Sequence, residues 1–141
     1  MTSKKPHALV LDSWAALAYL QGEPAAEKMG EIVADAIERR IPLYMSMINA
    51  GEVWYILARE LSSTTADSAI SDIRGWGVEF VDADWPLTQS AADFKSRYKM
   101  SYADAFAAAL AKGNRAAVVT GDPEFKLLEK EIGINWLMPK P

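Results

Sequence analysis

Cysteine is absent from this chain and histidine occurs once, at His7. The first absence excludes disulfides and thiolate metal sites, and the second a histidine-rich zinc centre. Any metal is left with oxygen ligands, which select hard divalent cations such as Mg²⁺ or Mn²⁺. Long apolar runs are missing too, since no stretch approaches the ~20 residues of a membrane span. Ala8 to Leu20, preceded by Lys4 and Lys5, has the outline of a secretion signal. Asp12 interrupts it, however, and Gln21-Gly22-Glu23-Pro24 is no small-residue cleavage site. A strand and a helix are expected there instead, in a protein of the reducing cytoplasm. Positive charge is also scarce: 15 Lys and Arg face 19 Asp and Glu, for a net charge of −4. This argues against a broad basic nucleic-acid surface, although a local group of bases beside metal-neutralised acids stays open.

What is present fits a single globular domain over 1–141, with half the residues hydrophobic and 24% charged. Short apolar runs alternate with helical periods. Leu9 to Leu11, Pro42 to Ser46, Val78 to Val81, Ala116 to Thr120 and Ile134 to Leu137 read as strands. Helices are predicted over Trp14 to Leu20, Ala25 to Arg40, Ile48 to Glu60, Thr65 to Trp76, Leu87 to Arg97, Tyr102 to Lys112 and Pro123 to Glu131. Strands separated by helices imply right-handed crossovers and a parallel sheet covered on both faces. Ligands of such folds bind beyond the carboxyl ends of the strands.

Four acids stand out on that basis. Asp12 directly follows the first strand and Asp122 the fourth, and each is equally readable as the N-cap of the next helix. Asp104 completes a capping box with Ser101. It also opens the helix Ala105-Phe106-Ala107-Ala108-Ala109-Leu110-Ala111, which is apolar enough to belong to the interior. Glu52 lies too far inside its helix to cap it, among Ile48, Asn49, Tyr55 and Ile56. A carboxylate desolvated by such neighbours requires a partner or a metal, so Glu52 is the expected anchor of a site, with Asn49 one turn earlier to orient it. An intrahelical salt bridge to Arg59, seven residues further along, is the alternative. Four converging carboxylates repel one another unless a divalent cation neutralises them.

Leu9-Val10-Leu11-Asp12-Ser13, Asn49-Ala50-Gly51-Glu52-Val53, Tyr102-Ala103-Asp104-Ala105 and Val119-Thr120-Gly121-Asp122 resemble the four acidic motifs of PIN-domain ribonucleases. Their order and spacing are similar to those of VapC toxins from type II toxin–antitoxin modules. The resemblance spans the chain and implies a three-layer α/β/α sandwich around a parallel sheet. It further implies Mg²⁺-dependent endonucleolytic cleavage of structured RNA such as tRNA or rRNA, with Mn²⁺ as substitute. On that reading a metal-activated water, and no nucleophilic side chain, would attack the phosphodiester. By the same resemblance Asp12, Glu52 and Asp104 are the primary ligands and Asp122 a fourth acid. Ser13 and Thr120 support them, and the partners are a cognate antitoxin and a second copy of the chain. Glu124 is readable as a fifth acid or as a charge favouring a helix N-terminus.

Lys95, Arg97, Lys99 and Arg115 are the candidate phosphate contacts, or else a solvated charged face. Tyr98 and Tyr102 are readable as base-stacking groups or as packing, and Trp14, Tyr19, Trp54 and Tyr55 as core or as a partner face. Two other functions remain in view. A receiver-like phosphoacceptor domain also gathers acids and Mg²⁺ at strand ends, but it needs adjacent acids after the first strand and a Lys after the last. The other is a PIN-like module that binds RNA or protein without cutting.

Overall fold

The structure is a computed structural model that describes residues 7–137, so Lys4 and Lys5 lie outside the described residues. The strands are β1 (Leu9–Leu11), β2 (Leu43–Ser46), β3 (Val78–Val81), β4 (Ala117–Thr120) and β5 (Gly133–Trp136). All four pairings are parallel, in the spatial order β3-β2-β1-β4-β5. The connecting helices are α1 (Ser13–Leu20), α2 (Ala26–Glu38), α3 (Met47–Glu60), α4 (Ser63–Gly75), α5 (Trp85–Arg97) and α6 (Tyr102–Gly113). The expected three layers follow from strand alternation. Leu9, Leu11, Leu43, Met45 and Val119 face one core with α1 to α4, while Val10 and Val118 face the other with α5 and α6. Among the described residues no helix is long and apolar enough to cross a membrane.

Two features place the site. The chain runs from β1 outward to β3 on one side, then returns to build β4 and β5 on the other. The carboxyl ends of β1 and β4 therefore flank the point where strand order reverses, the crevice in which open α/β sheets bind ligands. The second feature is α6, buried from Ala103 to Ala111. Its small alanines let the helix lie close on the sheet, bringing its first turn to that same crevice.

The segment after β4 departs from expectation. Pro123–Leu128 is a 3₁₀ helix, not an α-helix reaching Glu131. β5 must begin at Gly133, opposite Ala117. Ending the helix at Leu128 leaves residues 129–132 to lead the chain back to that strand.

Candidate active site

Register makes Asp12 and Asp122 neighbours, since Leu11 pairs with Val119 and each acid follows its strand. Asp12 is fully buried. It caps α1 by accepting the Ala15 N–H at 2.8 Å on Oδ1, and its Oδ2 accepts the Thr120 hydroxyl. Thr120 in turn accepts the Asp122 N–H at 3.0 Å, so one buried hydroxyl couples the two acids. Asp122 caps the 3₁₀ helix by accepting the Glu124 N–H at 2.9 Å. In α6, Ser101 accepts the Asp104 N–H at 3.1 Å, which aims the first turn. Capping and clustering are thus simultaneous, because a carboxylate held at one oxygen keeps lone pairs for another ligand.

Asp104, Asp122 and Glu124 each present an oxygen, all within 4.8 Å of one another. Burial pushes the Asp12 carboxyl up from 3.8 to about 7, and the charges of Asp122 and Glu52 add to the effect. Asp104 is pushed upward as well, first by burial and then by Asp122 and Asp12. Bare anions destabilise one another in such a place. An all-oxygen donor set that is partly desolvated and mutually repelling fits a hard divalent cation.

The expectation that Glu52 anchors the site by desolvation is corrected. Glu52 is only half-buried, whereas Asp12 is 0% and Asp104 7% exposed. The buried stripe of α3 is Asn49, Ala50, Val53 and Leu57, with Glu52 at its margin. The apolar neighbours that suggested burial face outward, with Ile48 38% and Tyr55 49% exposed. Glu52 still lies close enough to Asp12 to raise its pKa. Arg59, the alternative partner, sits over the Tyr55 ring instead. Asn49 makes no direct hydrogen bond to Glu52; its amide is directed to Ser13 and to the Ala103 carbonyl. Glu124, left between two readings by sequence, faces Asp104 and Asp122, two residues beyond a cap whose 3₁₀ geometry no helical period reveals.

Residues 9–131 match the family model described as PIN domain. The chain belongs to the PIN-domain family. Its fold is similar to that of Mycobacterium tuberculosis VapC20, described as a Sarcin-Ricin loop cleaving toxin. The two are 20% identical with a TM-score of 0.66, over 85% of this chain and 94% of that one. VapBC2 from Rickettsia felis, solved bound to a DNA fragment from their promoter, is 18% identical with a TM-score of 0.70 over 92% and 98%. FitAcB from Neisseria gonorrhoeae is 20% identical with a TM-score of 0.67 over 90% and 96%. No curated protein matches the chain.

In this PIN domain the step from β4 to Asp122 depends on Gly121. A Cβ there would stand 2.3 Å from the Trp14 ring, so the indole packs on bare backbone between Thr120 and Asp122. Gly121→Ala is expected to destabilise the protein by about 1–3 kcal/mol through overpacking. Thermal unfolding checks the loss, and a changed Trp14 environment in near-ultraviolet dichroism shows where it arises.

The candidate bases divide. Lys95 donates to the Met100 carbonyl at 2.6 Å, which secures the loop before α6. Arg97 is engaged by Glu131 through two bonds of 2.8 and 3.0 Å and by Asp93, and Tyr98 also donates to Glu131. These contacts hold the Glu131 carboxyl down at about 2, and they tie α5 to the turn before β5. Arg115 precedes β4, at the opposite end of the sheet, roughly 15 Å of extended chain from Thr120. Lys99 is exposed on the loop leading to Asp104. Of the aromatic residues, Trp14 is partly buried against the core, whereas Tyr19, Trp54, Tyr55 and Tyr102 are at least 37% exposed.

Proposed function

We propose that this PIN domain is a divalent-metal-dependent endoribonuclease and the toxin of a toxin–antitoxin pair. The observation that carries the reading is the convergence of Asp104, Asp122 and Glu124 within 4.8 Å, beside buried Asp12, at the reversal point of the sheet. Asp12, Glu52, Asp104 and Asp122, with Glu124 converging on the last two, would hold Mg²⁺, or Mn²⁺ in its place. When bound, such an ion lowers the pKa of water and offsets charge developing on a phosphodiester.

The side chains supply placement. Asp12 is locked by Ala15 and Thr120, Asp104 is aimed by the Ser101 cap, and half-buried Glu52 acts on Asp12 through its charge. Lys99 is the base we assign to a substrate phosphate, a contact that positions RNA without reading its sequence. RNA as substrate is supported by the likeness to VapC20, a Sarcin-Ricin loop cleaving toxin, and an antitoxin partner by the VapBC assemblies of like fold. Exposed Met47, Ile48 and Tyr55 on α3 support association with a second chain, here assigned to a homodimer. The PIN match leaves no support for the receiver-like alternative.

The test incubates the purified protein with total RNA and Mg²⁺ or Mn²⁺, with and without EDTA, beside Glu52→Gln. Discrete cleavage that EDTA abolishes, and that falls at least about tenfold in Glu52→Gln, is expected. Cleavage undiminished by either removes the proposed site. No cleavage of any RNA by the wild-type protein favours the non-cutting binding module.

A further inference from the structure

Asn49 is buried with 0% exposure, and every polar atom of its side chain is committed. Its amide nitrogen donates to Ser13 Oγ at 3.1 Å and to the Ala103 carbonyl at 3.2 Å. Its Oδ1 accepts the Ser46 hydroxyl at 2.6 Å, and its own N–H donates back to Ser46 Oγ at 3.0 Å. Ser13 returns a bond to the Asn49 carbonyl at 3.2 Å. The Ala103 carbonyl accepts only, so the atom facing it must be the amide nitrogen, and the orientation of the group is settled by its partners.

The placement of these partners has a consequence. Ser13 is the residue after Asp12, Ala103 is the residue before Asp104, and Glu52 lies one helical turn beyond Asn49. Asp12 leaves β1, Glu52 belongs to the helix after β2, and Asp104 starts α6, elements that share no covalent link shorter than 36 residues. We propose that Asn49 is a positioning residue that sets the spacing of Asp12, Glu52 and Asp104 for cation binding. It pins the backbone beside two of these acids from the helix that carries the third. The inference rests on the metal-dependent reading above.

A hydrocarbon at this position keeps the two backbone bonds with Ser46 and Ser13 but loses the side-chain bonds to Ser13, Ser46 and the Ala103 carbonyl. Ser13 and the α6 terminus are then released from each other, in a cluster whose like charges push them apart. Groups that orient ligands without touching the metal contribute about 10–100-fold to metal affinity.

The test measures Mn²⁺ binding to the full chain by electron paramagnetic resonance of the free ion, together with the thermal midpoint in EDTA. The variants are Asn49→Ala, Ser13→Ala and Val53→Ala. Asn49→Ala is expected to weaken Mn²⁺ binding by about 10–100-fold. Ser13→Ala removes one of the two acceptors and weakens it in the same direction by less. Val53 is fully buried in the same helix and outside the network, so Val53→Ala lowers the midpoint while leaving Mn²⁺ affinity unchanged. Wild-type affinity in Asn49→Ala, or an equal loss in Val53→Ala, overturns the proposal. Should Asn49→Ala fail to fold, wild-type affinity in Ser13→Ala overturns it equally. A wild-type protein that takes up no Mn²⁺ defeats the metal-dependent reading itself, and the inference falls with it.

Discussion

Asp104→Asn is expected to abolish metal-dependent cleavage and, in the same protein, to raise the thermal midpoint measured in EDTA. The two signs are opposite because, on the proposed metal-dependent reading, the residue would stabilise a bound cation while it destabilises the cation-free fold. Asp104 is 7% exposed, and burial together with the charges of Asp122 and Asp12 drives its proton affinity up. An amide of the same shape carries no charge to desolvate, and its N–H groups can donate to the carboxylates of Asp122 and Glu124. The metal-free gain is expected on the order of 1–3 kcal/mol, the usual scale for relief of buried like charges. Loss of an outer partner already diminishes metal-site function by about 10–100-fold, so loss of a direct ligand is expected to exceed about 100-fold. RNA cleavage and differential scanning calorimetry of the same preparation read both signs. A lower midpoint in EDTA contradicts the electrostatic account even if activity is lost.

The second large effect is the pH dependence of metal-free stability. Asp12 is held at about 7 against 3.8 for an ordinary Asp, so the folded state binds its proton more tightly than the unfolded chain. Stability from this group is fully present below about 4 and is lost as pH rises through about 7. At about 1.4 kcal/mol per tenfold change in proton affinity, Asp12 alone accounts for roughly 4 kcal/mol, on the order of a marginal domain's whole stability. Asp104 acts in the same direction. Glu131 acts oppositely, because Arg97 and Tyr98 hold its carboxyl down at about 2. Its contribution is present above about 4.5 and is lost as pH falls toward 2. The midpoint in EDTA is therefore expected to peak near pH 4–5 and to decline toward pH 8. Mn²⁺ should restore more stability at pH 8 than at pH 5, since protons and cation compete for the same oxygens. A midpoint in EDTA that rises from pH 5 to pH 8 would falsify the assignment of Asp12 as a desolvated acid.

Both predictions centre on acids that sequence ranked below Glu52, and the reason is physical. From the sequence, Asp12, Asp104 and Asp122 each had a sufficient local explanation as a helix cap, and the caps at Asp12 and Asp122 are present. Glu52 had none, so it drew the inference of desolvation. Apolar neighbours along a helix show which residues are greasy but not which side the protein covers. Ile48 and Tyr55 lie on the uncovered side of α3. The basic residues misled in a similar way. Arg97 has a local partner in Asp93, but its bidentate one, Glu131, is 34 residues away and meets it only once α5 packs beside the turn before β5.

Convergence of the acids was legible in part. The strand–helix alternation is a local pattern of hydrophobic period, and it determined by itself a parallel α/β sandwich with Asp12 and Asp122 at carboxyl ends. Strand endings, cap residues and the apolar α6 are likewise written in contiguous residues, whose energetics are local. The order β3-β2-β1-β4-β5 is not, because it depends on which crossover packs on which face. That order puts Asp12 beside Asp122, buries Thr120 between them and turns Glu124 toward Asp104. The bond from Asn49 to Ala103 spans 54 residues and exists only after both cores have formed. Absence of cysteine and near-absence of histidine confined any metal to oxygen ligands. Which oxygens are desolvated, and hence which acids most need the cation, was decided by tertiary burial alone.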